Sequence, residues 1–292
     1  MTTMTMRVPE RDQRKGVPAK PGLLVVPAVL LIVVAFGLPM VEVLTRSVTD
    51  PRLGMQNYIW MLTNETVVVV ALRTFGMALL VSAICILLAY PYAYLMAISS
   101  DSARRWLMLL VLLPLYSSIL IRTLAWFVLL QDTGPINDVL EAIGIGRIPL
   151  IRTTFGVALG MTQILLPFVV LPLYSSMEKV SPGLLPAARS LGATPVRAFF
   201  SIYLPLTRPG LIAGGTSVFI LALGFFIIPS MLGSPSNTFL PSLIYQQING
   251  FLLWGQGTAL GIGLLVATLV LLVLGTRLAR ARRTVGQGRG RQ

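Results

Sequence analysis

Long apolar runs constrain this chain more than any other feature. They recur at residues 23–44, 67–98, 106–130, 153–177, 211–232 and 255–274, each with at most one charged residue. Inside a bilayer no water is available to bond a backbone, so a single segment of this length crosses only as a helix. The expected fold is all-α and integral to a membrane, with six transmembrane helices. A hydrophobic share of 55% against 11% charged residues agrees with that class and not with a soluble domain. The first run follows a basic stretch, as in a signal peptide. It is longer than a signal core and no small-x-small cleavage site follows, so it reads as an uncleaved span.

Charge sets the expected orientation. Six spans put both termini and the loops after spans two and four on one side. That side carries seventeen Lys and Arg: five in the first 22 residues, two at 99–105, four from Lys179 to Arg208 and six in the C-terminal tail. The opposite loops carry four, Arg46, Arg52, Arg147 and Arg152. By the positive-inside rule both tails are cytoplasmic. The net charge of +13 is concentrated in tails and inner loops, where anionic lipid headgroups account for it without a nucleic-acid partner.

Between the fourth and fifth spans lies a more polar stretch, residues 181–210, reading SPGLLPAARSLGATPVRAFFSIYLPLTRPG. Ser181-Pro182 reads as a helix start and Gly192 as a left-handed stop. Thr194-Pro195 repeats the start, and Pro205 reads as the end of the second helix. The expectation is a helix-turn-helix docking loop facing the cytoplasm. Ala187 and Ala188 admit a partner's groove close to the backbone, while Arg189 and Arg197 offer charge to an acidic surface or are simply solvated.

Ala187-Ala188, three residues, Gly192, nine residues, then Ile202, Leu204 and Pro205 resembles the EAA coupling loop of ABC importer permeases. Ala193 falls inside the motif, and Pro186 stands where the family has glutamate, which removes one polar contact from the docking surface. LPLYSSILIRTLAWFVLLQDTGPIND in the third span and IIPSMLGSPSNTFLPSLIYQQI after the fifth are similar to the spermidine/putrescine-type permeases. The resemblance implies the type I importer permease fold. It divides the chain into a cytoplasmic tail at 1–22, a transmembrane permease domain at 23–275 with its coupling loop at 181–210, and a basic cytoplasmic tail at 276–292. It also implies a bacterial inner-membrane location, two ATPase subunits, a second homologous permease and a periplasmic substrate-binding protein. Polyamines are the substrate class it favours, with opines, iron and thiamine as alternatives.

No G-x-x-x-x-G-K-[ST] pattern occurs, so a phosphate-cradling loop, with its ATP and magnesium, is expected on partner subunits. Histidine is absent and Cys85 is the single cysteine, which leaves no common zinc or iron ligand set and no disulfide. A serine or cysteine nucleophile would lack its usual base. No catalytic residue is expected, and a lone transporter or channel would call for an inverted repeat or an intramembrane acid relay, neither of which the sequence contains.

Candidate pathway residues are Tyr116, Arg122, Trp126, Asp132 and Gln246. An intramembrane arginine is expensive in lipid, so Arg122 either faces a watery path or snorkels to an interface or an acid such as Glu42. Tyr90, Tyr92, Tyr94, Tyr116 and Trp126 offer aromatic faces that an ammonium favours, and they equally suit packing or an interfacial belt. A short helix is expected near 136–143, and an amphipathic piece near 243–248.

Overall fold

The computed structural model describes residues 21–287, and all but two residues of the expected N-terminal tail lie outside them. The chain divides after Thr45 into two units. The first is built on helix α1 (Pro21–Thr49), which continues through Pro27 and Pro39 and whose last turn belongs to the second unit.

The second unit is built of helices joined by loops, with no strand among its described residues. Helix α2 (Gln56–Thr63) occupies the expected outer loop and leads into α3 (Glu65–Ile98), which runs unbroken through Pro91. There follow α4 (Asp101–Tyr116), α5 (Ile119–Leu129), α6 (Pro135–Ala142), α7 (Thr154–Leu165) and α8 (Pro167–Met177). Next come α9 (Leu184–Ser190), α10 (Pro195–Ala198) and α11 (Leu204–Leu223), with a π turn at Phe199–Tyr203 joining the last two. Then α12 (Ile227–Leu232), α13 (Leu240–Tyr245) and α14 (Trp254–Gln287) complete the chain. Local chemistry sets several starts: Asn64 accepts from the Val67 N–H, Thr153 accepts from Gly156, and Pro135 opens α6, where its missing N–H is not needed.

Four helical stretches are long and apolar enough to cross a membrane: Val25–Thr49, Glu65–Ile98, Pro195–Leu223 and Trp254–Val273. Two bent pairs qualify only when joined, so the six expected runs are present but not as six straight helices. The expected third span is broken at Ser117-Ser118, where α4 and α5 meet at 96°. Pro114 weakens the last turn of α4, and the Ser117 hydroxyl and N–H both bond the Pro114 carbonyl instead of extending the helix. The fourth bends by 44° between α7 and α8, where Pro167 has no N–H to offer.

The fifth departs differently. Its helix starts in the polar loop and passes through the π turn, in which the Leu204 N–H reaches back to the Phe199 carbonyl. Pro205 therefore lies in the first turn of α11 and does not end the second loop helix. The widened turn falls where the proline has no proton to give. The stretch from residue 276, expected as a basic tail beyond the last span, continues the final helix to Gln287.

Helices α3, α8 and α11 form the centre, with Ala78, Val81, Cys85 and Ala89 of α3 buried against Val169, Leu173 and Val218. Lipid tails are as apolar as leucine, so close packing and not exclusion from water holds such helices together. Gly210 and Gly214 of α11 show how. A Cβ on Gly210 would come within 2.5 Å of the Pro172 carbonyl oxygen, and one on Gly214 within 2.8 Å of Val169 Cα. A smaller cluster of Val67, Val70, Leu240, Leu243 and Leu260 ties α3 to α13 and α14.

Candidate functional site

The polar loop folds as two short helices around a glycine turn. Helix α9 starts two residues later than Ser181-Pro182 suggests, with Gly183 at its cap. Pro186 then falls in its first turn, where a missing N–H leaves nothing unbonded. At the other end Gly192 has φ 88°, its N–H bonds the Arg189 carbonyl at 2.9 Å, and the Ala193 N–H bonds the Ala188 carbonyl at 3.0 Å. These paired bonds satisfy the last carbonyls and require a left-handed residue between them. Thr194 Oγ1 accepts from the Arg197 N–H, and Pro195 opens α10. Ala188 is buried while Leu191 is 90% exposed, so one face of the hairpin packs inward and the other is free to meet a partner.

An aromatic cluster mounts this hairpin on α3. Phe199 lies 5.6 Å from Tyr90 edge to face and 5.8 Å from Tyr203 in a stack, and Tyr94 meets Tyr203 at 5.4 Å. Tyr92 instead donates to the Leu107 carbonyl at 2.8 Å and ties α3 to α4. Tyr90 and Tyr94 are thus engaged around the hairpin and Tyr92 against α4, and none of the three forms a ring contact with Tyr116 or Trp126. Sequence reading missed this mount; its trace was the pairing of YPYAY with FFSIY. It also missed Gly210 and Gly214, whose four-residue spacing is a helix-packing signal. Ile202, Leu204 and Pro205 sit in the helix that leaves this mount. A cavity of about 770 Å³ opens beside it, bordered by Ser176, Lys179, Ser181, Leu184 and Pro209.

The candidate pathway residues do not share one helix. Tyr116 ends α4 and is 88% exposed, whereas Arg122 and Trp126 lie beyond the break on successive turns of α5. Arg122 Nη2 donates to the Ser117 carbonyl at 3.4 Å, so the guanidinium reaches back toward the break. Its Nε and Nη1 are buried without a hydrogen-bond partner among the described residues. Trp126 packs on the core. Asp132 is exposed in the turn after α5, and its carbonyl accepts from Arg147 at 3.4 Å.

Arg147 organises the loop between α5 and α7. It donates to Glu141 at 2.8 Å and to Asp138 at 3.1 Å. The bond to Glu141, with the charges of Glu141 and Asp138, pushes the guanidinium further up from its already high value. Buried Asn137 completes the loop by bonding the Gln131 and Ile148 carbonyls and the Ile148 N–H.

Gln246 lines a separate groove of about 300 Å³ between α12 and α13, together with Phe226, Ser230, Thr238, Ser242 and Tyr245. Helix α12 packs on α5 and α7. The groove's rim is anchored to α3, where Arg73 donates to the Ser236 and Thr238 carbonyls and Thr74 Oγ1 accepts from the Leu240 N–H. No cluster of metal-ligating side chains occurs among the described residues.

A family model described as the binding-protein-dependent transport system inner membrane component matches residues 89–284. The spermidine/putrescine transport system permease protein PotB of Escherichia coli is 35% identical over 213 residues, 72% of this chain and 78% of that protein. PotB of Haemophilus influenzae is 36% identical over 202 residues, 68% of this chain and 71% of its own. Among solved structures, a bacterial ABC transporter involved in import of the acidic polysaccharide alginate superposes with a TM-score of 0.70 at 19% identity. That match covers 89% of this chain and 95% of the other, and it bears on fold.

Proposed function

The chain belongs to the binding-protein-dependent transport system inner membrane components, the multi-pass permeases of ABC importers, and on that premise we propose that its cargo is a polyamine of the spermidine or putrescine type. The observation that carries the substrate class is the 35% identity with PotB across 72% of the chain.

The proposed assembly pairs this permease with a second, homologous one, two ATPase subunits and a periplasmic binding protein, with both termini of this chain in the cytoplasm. ATP and magnesium belong to the ATPases, and the chain itself makes no covalent change in its cargo. ATP-driven closure of the ATPases would draw the hairpins of the two permeases together. The hairpin of this chain suits that role because Gly192 gives it a fixed turn and the Tyr90–Phe199–Tyr203 cluster fixes it to α3. Force applied at Leu191 would pass through the Gly192 turn to Pro195, and from there Pro195–Leu223 is one helical stretch into α11. Alternating access follows as the central helices of the two permeases reorient.

The test is reconstitution of all subunits in liposomes, with the binding protein supplied outside. ATP-dependent accumulation of spermidine or putrescine is expected, together with ATP hydrolysis stimulated by the loaded binding protein. Uptake of a different solute would overturn the substrate class and retain the importer. Uptake by this chain without ATPases would overturn the importer.

A further inference from the structure

The groove between α12 and α13 has an imbalance of hydrogen-bond donors and acceptors. Ser230 Oγ donates its proton to the Phe226 carbonyl at 2.7 Å. Ser242 Oγ lies 3.3 Å from Ser230 Oγ, and with the Ser230 proton committed, Ser242 supplies the proton of that contact. Thr238 Oγ1 donates to the Pro235 carbonyl at 2.8 Å. A hydroxyl has one proton and two lone pairs, so Ser230, Thr238 and Ser242 have only lone pairs left to offer. Beside them the rings of Phe226 and Tyr245 lie 5.1 Å apart, tilted by 38°.

Oxygen lone pairs next to aromatic faces suit a compact cation carrying several N–H bonds. An anion would find as donors among the groove's side chains the Tyr245 hydroxyl, the Gln246 amide and, when Ser236 supplies the proton of their 2.7 Å contact, the Ser234 hydroxyl at the far rim, none of them charged. No carboxylate lines the groove, and Arg73 stands behind its rim on the Ser236 and Thr238 carbonyls. Attraction for a cation is therefore modest, and a solute in transit must be able to leave as well as enter.

We propose that this groove is a transient subsite for one ammonium group of a linear polyamine, held against Phe226 and Tyr245 with its N–H bonds directed to Ser230 and Ser242. The proposal rests on the polyamine reading and adds the place in the chain where the cation is recognised. Its test uses the complete importer in liposomes, with putrescine as the transported probe and a diazirine-bearing diamine as the crosslinking probe. Phe226→Leu and Tyr245→Leu are each expected to lower the putrescine uptake rate about tenfold per assembled complex. Tyr245→Phe, which keeps the ring, should recover most of that loss. Ser242→Ala, a small change that keeps the packing, should lower the rate about threefold. The crosslink should map to residues 226–246. Leucine variants that assemble and transport putrescine at the unsubstituted rate would overturn the subsite, as would a crosslink mapping elsewhere. If leucine variants fail to assemble, an unchanged rate for Ser242→Ala overturns it instead. An unsubstituted importer that carries no polyamine would overturn the underlying substrate reading, a result separable from any variant.

Discussion

Tyr90 donates its hydroxyl to Thr207, with the two oxygens 3.0 Å apart, and the bond joins α3 to the first turns of α11. Thr207 is fully buried and sends its own proton to the Tyr203 carbonyl at 3.1 Å, so the direction of the Tyr90 bond is set. The contact stands where the hairpin passes into its spanning helix, beside the Phe199 ring cluster. Tyr90→Phe keeps the ring and removes the bond, and it should destabilise the permease by about 1 kcal/mol. A lower thermal midpoint with less solute moved per ATP is the expected result. An unchanged ratio would show that the mount does not carry force.

Gly192 makes a stronger demand on backbone geometry. At φ 88° a β-branched side chain meets the carbonyl that follows it, at a penalty of about 1–2 kcal/mol. Gly192→Val is expected to distort the turn and reduce copurification with the ATPases. Gly192→Asn, which tolerates the left-handed region, should retain it. Equal recovery of ATPases with both variants would refute the turn's role in assembly.

Gly210 tests packing in the membrane. Gly210→Leu would drive a side chain into the Pro172 carbonyl and Ser176 Cβ, and overpacking of this kind destabilises by about 1–3 kcal/mol. Detergent-solubilised protein should lose its monodisperse profile at a lower temperature. Gly261→Leu, on an open face of α14, serves as the comparison and should behave as the unsubstituted chain.

Arg147 gives a pH prediction with a definite sign. Its pKa is raised by Glu141 and Asp138, so its contribution is complete below the unfolded value and is lost only as pH rises through the still higher folded value. Titration of Arg147 therefore leaves the loop between α5 and α7 unaffected across the neutral range. Arg147→Gln should speed amide exchange at residues 132–148 and leave the central helices as protected as before. Uniform protection in both proteins would show that the ion pairs do not order the loop.

Sidedness can be read with one reagent, because Cys85 is the single cysteine and is buried. In a Cys85→Ala background, Leu191→Cys should react with an impermeant maleimide only in inside-out vesicles. Val139→Cys should react only from the outer face. The opposite pattern would reverse the orientation drawn from the positive charges.

Much of the two-helix hairpin at 184–198 was legible because its signals are local. Thr194 and Pro195 start a helix and Gly192 stops one for reasons contained within a few residues. Pro205 was misread for the opposite reason. A proline ends an ordinary helix, but the π turn at Phe199–Tyr203 absorbs it, and nothing within the loop announces that turn. Tyr116 and Trp126 looked like neighbours on one span. The Ser117 bonds to Pro114 divide that span, so the two rings belong to differently directed helices. Gln246 was legible as a candidate pathway residue but not its surroundings, since its groove exists only because α12 and α13 close on one another.

By itself the sequence determined that this protein is an all-α membrane chain with a two-helix loop, since the length of an apolar run and the punctuation of a turn are settled by each segment's own backbone in lipid. Only the tertiary structure decided how the hairpin is mounted and which side chains enclose a groove. Those outcomes depend on bonding partners delivered from far along the chain, as Thr74 does for Leu240 and Tyr90 for Thr207. No segment contains its own answer to which neighbour will supply them.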